Sequence, residues 1–181
     1  MKKILTALLL LAATPAFAHP GHELLQPLQE GLLHPLTGTD HLLMLLGTGL
    51  LAALTSRRLH LPLAALAMLA LGAGLGQVFG AFVGMETLIW AAVPVLGVAL
   101  WLQRQAVPMF VMPLLALAHG WAHGVEASSG AFTTFCLGFL SVSALLLFVG
   151  FAVGSYLRRF EGVQKLCGGA WLAGAAWLLA A

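Results

Sequence analysis

Apolar residues run in long blocks along this chain, and polar ones gather at the breaks between blocks. Six blocks stand out, at 35–55, 61–83, 87–102, 107–125, 131–157 and 163–181. Crossing a bilayer takes about 20 apolar residues in a helix, so each block predicts one span. The third is short and would sit in a locally thinned bilayer. The pattern therefore predicts an all-α membrane protein, a six-transmembrane-helix bundle. Its brief connections predict sequential helices packed as antiparallel neighbours.

Ahead of these blocks lies a different pattern. Lys2 and Lys3 precede a short apolar run at 4–13, and Ala16-Phe17-Ala18 follows as a small-x-small site. That is the layout of a signal peptide over 1–18 cleaved before His19, leaving 19–181 as the membrane domain. The alternative, an uncleaved first helix, has against it the short run and Pro15 near its end.

Composition agrees with the blocks. Hydrophobic residues make up 61% and charged residues 8%, whereas a soluble domain carries about 25% charged residues. This chain cannot cover a water-facing surface, and its expected partner is the lipid bilayer. Taking Lys2 and Lys3 from the eight Lys and Arg leaves six, against six Asp and Glu. The mature chain is then near neutral and has no basic patch for nucleic acid. Cys136 and Cys167 lie in apolar blocks without a CxxC spacing and read as packing residues.

The distribution of charge sets an orientation. With the mature N-terminus outside, the basic residues Arg57, Arg58, Arg104, Arg158, Arg159 and Lys165 all fall on cytoplasmic connections, as positive-inside bias requires. Both termini of the mature chain are then periplasmic. Glu23, Glu30, Asp40, Glu86 and Glu126 fall on the outer side, with Glu161 inside. An acidic outer face attracts cations. Simple avoidance of the basic side explains the loop carboxylates but not Asp40, which lies past a helix start.

Two clusters interrupt the apolar pattern with donors. The first is His34-Pro35-Leu36-Thr37-Gly38-Thr39-Asp40-His41. Pro35 suits a first helical turn, which predicts a helix starting there with His34 at its mouth. Seven residues return almost to the same face, so His34 and His41 would share a stripe. Asp40 would ligate an ion or orient an imidazole that does. The second cluster is His119-Gly120-Trp121-Ala122-His123-Gly124-Val125-Glu126. Its two His are one turn apart and its Glu a further turn on, all on one face. These donors suit Ni, Co, Zn or Cu as divalent ions. The HExxH pattern of zinc proteases is absent.

Depth brings the clusters together. His41 lies about 10 Å below the mouth of its helix, and His119 about 10 Å below Glu126, at 1.5 Å rise per residue. Antiparallel packing would set His41 beside His119 and His34 near His123 and Glu126. Each His could instead serve as an interhelical hydrogen-bonding residue. Met44, three residues past His41, is a candidate soft ligand, whereas Met85, Met109 and Met112 read as packing. His19, His22 and Glu23 form either a metal-capturing start or a solvated tail. His60 is either solvated or an exit ligand. Gly72, Gly76 and Gly80, and again Gly150 and Gly154, predict close helix approach. Gln77 among them would bond across the bundle or line a path, and the tryptophans read as interface or packing residues.

His-Pro-Gly-His at the mature start, the first cluster with Met44, and the second cluster together resemble the HupE/UreJ family over essentially the whole chain. The resemblance implies a secondary permease of the bacterial inner membrane that takes Ni²⁺ from periplasm to cytoplasm. It implies His34, Asp40, His41, His119, His123 and Glu126 as the metal path. A metallochaperone on the cytoplasmic side would be the receiving partner. The ion is then the transported substrate, with no cofactor, no enzyme activity and no Walker-type motif for ATP drive. Three alternatives are a permease for Co²⁺ or another divalent metal, an intramembrane metalloenzyme with Glu126 or Asp40 as base, and a metal-sensing accessory protein.

Overall fold

The computed structural model describes residues 25–54, 59–102, 106–128 and 130–180. The signal peptide expected at 1–18, the candidate capture ligands His19, His22 and Glu23, and the cytoplasmic Arg57, Arg58 and Arg104 lie outside the described residues. All regular structure among the described residues is helical. The helices are α1 Leu25–Thr37, α2 Thr39–Leu54, α3 His60–Phe79, α4 Met85–Leu102, α5 Ala106–Glu126, α6 Phe132–Leu157 and α7 Val163–Ala180. Of these, α3, α4 and α6 are long and apolar enough to cross a membrane, and the bent pair α1–α2 would make a fourth span. The outward faces carry large apolar side chains, among them Leu63, Val78, Phe110, Leu137 and Phe148. Such a surface suits lipid rather than water.

The first block departs from its expected shape. The helix does not start at Pro35. It starts at Leu25, runs through Pro35 and stops at Thr37. A second helix starts at Thr39 after a bend of 76°. The residues around Gly38 account for the break. Pro35 has no N–H for the carbonyl one turn back, which weakens the end of α1. The freed end is closed locally, with the Thr37 hydroxyl donating to the His34 carbonyl at 3.0 Å. Gly38 O then accepts from Leu42 N at 3.0 Å as the first bond of the new helix. Asp40 in the first turn of α2 favours a start there through the helix dipole.

Helix order does not set packing order, contrary to the expectation of antiparallel sequential neighbours. The most extensive contacts are α3 with α5, α2 with α6, α1 with α6, and α4 with α7. In the α3–α5 pair, Gly120 lies on the Leu69 backbone and Gly124 on that of Ala73. Both numbers rise together, so the helices run parallel. Gly72 and Gly76 press on α5 from the other side, at Leu117 and Trp121. The α2–α6 pair is parallel too, with Gly150 on Leu46 and Gly154 on Leu50. The physical reason is side-chain size. Glycines facing a neighbour admit backbone-to-backbone approach, and these glycines face helices two or more places away in sequence. Gly80 is a correction: it ends α3 with φ 69° and does not extend the packing stripe. Only a residue free of Cβ strain adopts that conformation readily.

Candidate metal site

Three helix ends assemble the site. His34 comes from the last turn of α1, Asp40 and His41 from the first turn of α2, and His119, His123 and Glu126 from the C-terminal half of α5. The sequence of α5 alternates the two roles it must fill. Each of His119 and His123 is followed by glycine, about 100° further round the helix. The glycine face lies on α3, so the histidine face is turned toward α1, α2 and α6.

The four rings meet there. Ring centroids of His34 and His123 are 4.5 Å apart, and those of His41 and His123 are 4.7 Å apart. His41 lies 5.2 Å from His119 and 5.6 Å from His34. The pairings expected from depth, His41 with His119 and His34 with His123 and Glu126, are those observed. The route to them differs. His34 and His41 do not share a helical stripe, and the bend at Gly38 folds one onto the other.

Burial grades the cluster from rim to core. The His34 side chain is 36% exposed and Glu126 is 55% exposed, whereas His119 and His123 are 0% exposed. Glu126 Oε2 lies 3.5 Å from both His34 Nε2 and His123 Nδ1. That is a close ionic approach at the outer limit of hydrogen bonding, and His123 Nδ1 has no hydrogen-bond partner among the described residues. Deeper in, His41 Nδ1 lies 3.0 Å from Asp40 Oδ1, and His119 Nδ1 lies 3.0 Å from the Leu115 carbonyl. A carboxylate and a carbonyl only accept, so both Nδ1 atoms donate. In the neutral rings both Nε2 atoms then carry lone pairs.

Those lone pairs have nowhere to go. His41 Nε2, His119 Nε2 and both ring nitrogens of His123 are buried without a hydrogen-bond partner among the described residues. Buried polar atoms are ordinarily paired, and a bound ion is one of the standard explanations when they are not. The donor sets support that explanation. One ligand atom each from His34, His41 and His123 lie within 4.8 Å of one another, and so do those from Asp40, His41 and His119. The Asp40–His41 pair has the layout of a carboxylate that orients a metal-binding imidazole.

The remaining candidates stand apart. Met44 is 1% exposed one turn below His41, and its sulfur accepts the Thr48 hydroxyl at 3.8 Å. His60 is exposed at the start of α3, the opposite end of that helix from Gly80. Gln77 Oε1 is buried without a hydrogen-bond partner among the described residues. Cys136 and Cys167 are free and only partly buried. Three residues were not singled out from sequence. Phe139 packs on the His123 ring at 4.3 Å, and Phe135 lies 6.3 Å from His34. Ser143, one turn further along α6, is fully buried with its hydroxyl unpartnered among the described residues. An aromatic or serine inside an apolar block carries no signal that it walls a site.

A helical bundle with a lipid-compatible surface marks a membrane protein, and its part-buried histidine–aspartate cluster is one that could hold a metal ion. The chain belongs to the HupE / UreJ protein family, whose model matches residues 7–179. It is similar to Protein HupE of Rhizobium leguminosarum bv. viciae, with 32% identity over 158 residues, covering 82% of this chain and 83% of that one. No solved structure matches it.

Proposed function

We propose that the protein is a secondary permease of the bacterial inner membrane that carries Ni²⁺ from the periplasm to the cytoplasm. One observation carries the reading. Imidazole nitrogens from α2 and α5 converge with free lone pairs inside an apolar bundle, behind a more exposed His34 and Glu126. Neutral imidazole is a nickel and cobalt ligand, and charged or ionisable groups in a membrane segment mark ion pathways. The donors form a series from rim to core. A zinc enzyme would instead show a single three-ligand site with one open position. This supports carriage over catalysis, with the ion as substrate and no resident cofactor.

Six spans fit this reading, with α1–α2 as the first. His119, His123 and Glu126 dilute the apolar character of α5, as Gln164 and Lys165 do that of α7. The count is supported by the basic residues, which gather at alternate connections, with Lys165 just past one of them in the first turn of α7. It places both mature termini in the periplasm after removal of 1–18, with His19, His22 and Glu23 as capture ligands. The inside-negative potential would draw the ion in, by about 2.3 kcal/mol per charge per 100 mV. A cytoplasmic metallochaperone would take the ion on release. The test is uptake from an equimolar mixture of Ni²⁺, Co²⁺, Zn²⁺ and Cu²⁺ into proteoliposomes, read by elemental analysis. Nickel is expected to accumulate above protein-free vesicles, with cobalt next. Accumulation of no metal would refute a permease.

A further inference from the structure

We propose that Ser143 is a further ligand of the transported ion, offering its hydroxyl oxygen to the metal at the level of His41. The proposal rests on the permease reading and brings α6 into the site built by α1, α2 and α5. Ser143 is 0% exposed, and its Oγ is buried without a hydrogen-bond partner among the described residues. That is not the state of the other serine nearby on α6. The Ser141 hydroxyl donates to the Leu137 carbonyl at 2.6 Å. Ser143 has the same option one turn back, at the Phe139 carbonyl, and does not take it. A buried hydroxyl left unpaired is destabilising, so an ion that engages it accounts for a serine where alanine would pack.

Direction and depth both bring Ser143 to the rings. At about 100° per residue, Phe139, Ser143 and Gly150 fall within about 40° of one another around α6. Phe139 packs on the His123 ring at 4.3 Å, and Gly150 rests on the Leu46 backbone. Ser143 lies between them on the same stripe, so it faces the space that α2 and the rings enclose. Depth follows from the parallel packing of α2 and α6. Seven residues back from the Gly150–Leu46 contact, Ser143 comes level with Thr39. Gly49 lies between Leu147 and Phe151, and six residues back from that midpoint Ser143 comes level with Leu43. His41 is midway. Its Nε2 and that of His119 are both buried without hydrogen-bond partners among the described residues, and the two rings are 5.2 Å apart. A hydroxyl oxygen at that level joins a set of nitrogen donors. Imidazole with oxygen suits Ni²⁺ and Co²⁺, whereas a sulfur in its place would favour softer ions.

The test uses two variants of the detergent-solubilised full chain. By equilibrium dialysis, Ser143→Ala should bind Ni²⁺ about tenfold more weakly than wild type, on the scale of losing one group that supports a metal. Its melting temperature without metal should be unchanged or raised, because an unpaired hydroxyl has been removed. Unchanged Ni²⁺ affinity would overturn the proposal, and so would weaker binding accompanied by a lower metal-free melting temperature, which marks a packing residue. Ser143→Cys puts sulfur where the oxygen was. A coordinating thiol is deprotonated, so Co²⁺ added to this variant should give a sulfur-to-cobalt charge-transfer band in the near ultraviolet. Wild type is the control, since Cys136 and Cys167 are present in both proteins. A spectrum identical to wild type would overturn direct ligation. Gel filtration confirms that each variant is folded, and the cysteine variant decides alone if the alanine variant is not. Wild-type vesicles that bind Ni²⁺ without taking it up would sink the permease reading instead, while the cobalt band would still decide Ser143.

Discussion

The two sides of α5 are packed in opposite ways. On one side, Gly120 and Gly124 rest on the α3 backbone at Leu69 and Ala73, and the contact is backbone to backbone. On the other, α5 meets α2 through imidazole rings 4.7 and 5.2 Å apart, and the two helices share no extensive contact. The first side makes full use of close approach. The second leaves four ring nitrogens without hydrogen-bond partners among the described residues. The two faces are coupled, because each histidine precedes a glycine. Rotating α5 to relieve the unpaired nitrogens would drive side chains into α3. The tight face thus holds the open one in a state it would not keep by itself, which is how pre-organised ligand sites are maintained.

The strongest way to break that coupling is Gly120→Val. A Cβ at Gly120 would collide with the Leu69 backbone, which cannot step aside as a flexible side chain can. Overpacking costs about 1–3 kcal/mol where a core can adjust, and a backbone contact places this case at about 3 kcal/mol. The expected outcome is a melting temperature well below wild type in detergent, with Ni²⁺ binding lost alongside. Gly74→Ala is the control, since its Cβ would meet nothing within 4 Å. A Gly120→Val protein with unchanged melting and binding would show that the tight face does not hold the site.

The coupling was partly legible before the structure. Lipid-facing helices need no amphipathic pattern, so block length alone marked out the apolar helices well. Helix arithmetic named the pairs His41 with His119 and His34 with His123, but it did so for a straight helix from Pro35, whereas the chain brings the rings together through the 76° bend at Gly38. The bend at Gly38 was not legible. Pro35 is a valid first-turn residue and hid a helix that had already run ten residues from Leu25. Gly72 and Gly76 announced a close approach but not their partner, since small residues say that something comes near and not what. The wall of Phe135 and Phe139 behind the rings was invisible for the same reason: it depends on α6 crossing α1 and α2, which no local pattern encodes.

The open face can be sharpened through Asp40. If Asp40 sets the orientation of His41, Asp40→Asn should weaken Ni²⁺ binding about 10–100-fold, the range for loss of a carboxylate partner of a metal-binding histidine. Melting should shift little, because the 3.0 Å contact to His41 Nδ1 can be kept by the amide oxygen. Isothermal titration with Ni²⁺ measures the first quantity and thermal unfolding the second. A large loss of stability with intact affinity would assign Asp40 to the fold rather than to the ion.

The smallest effect tests whether the tight face is only structural. The Trp121 indole N–H donates to the Gly80 carbonyl at 2.7 Å, tying α5 to the left-handed end of α3, and its ring packs 5.1 Å from Phe82. Trp121→Phe keeps an aromatic against Phe82 and removes the donor. A net hydrogen bond is worth about 1 kcal/mol, so a modest fall in melting temperature is expected. Ni²⁺ affinity should be unchanged, since Trp121 lies on the glycine side and away from the rings. Should affinity fall with stability, the two faces of α5 would be linked more finely than by rigid packing, because loosening one end of α3 would then be felt at His119 and His123.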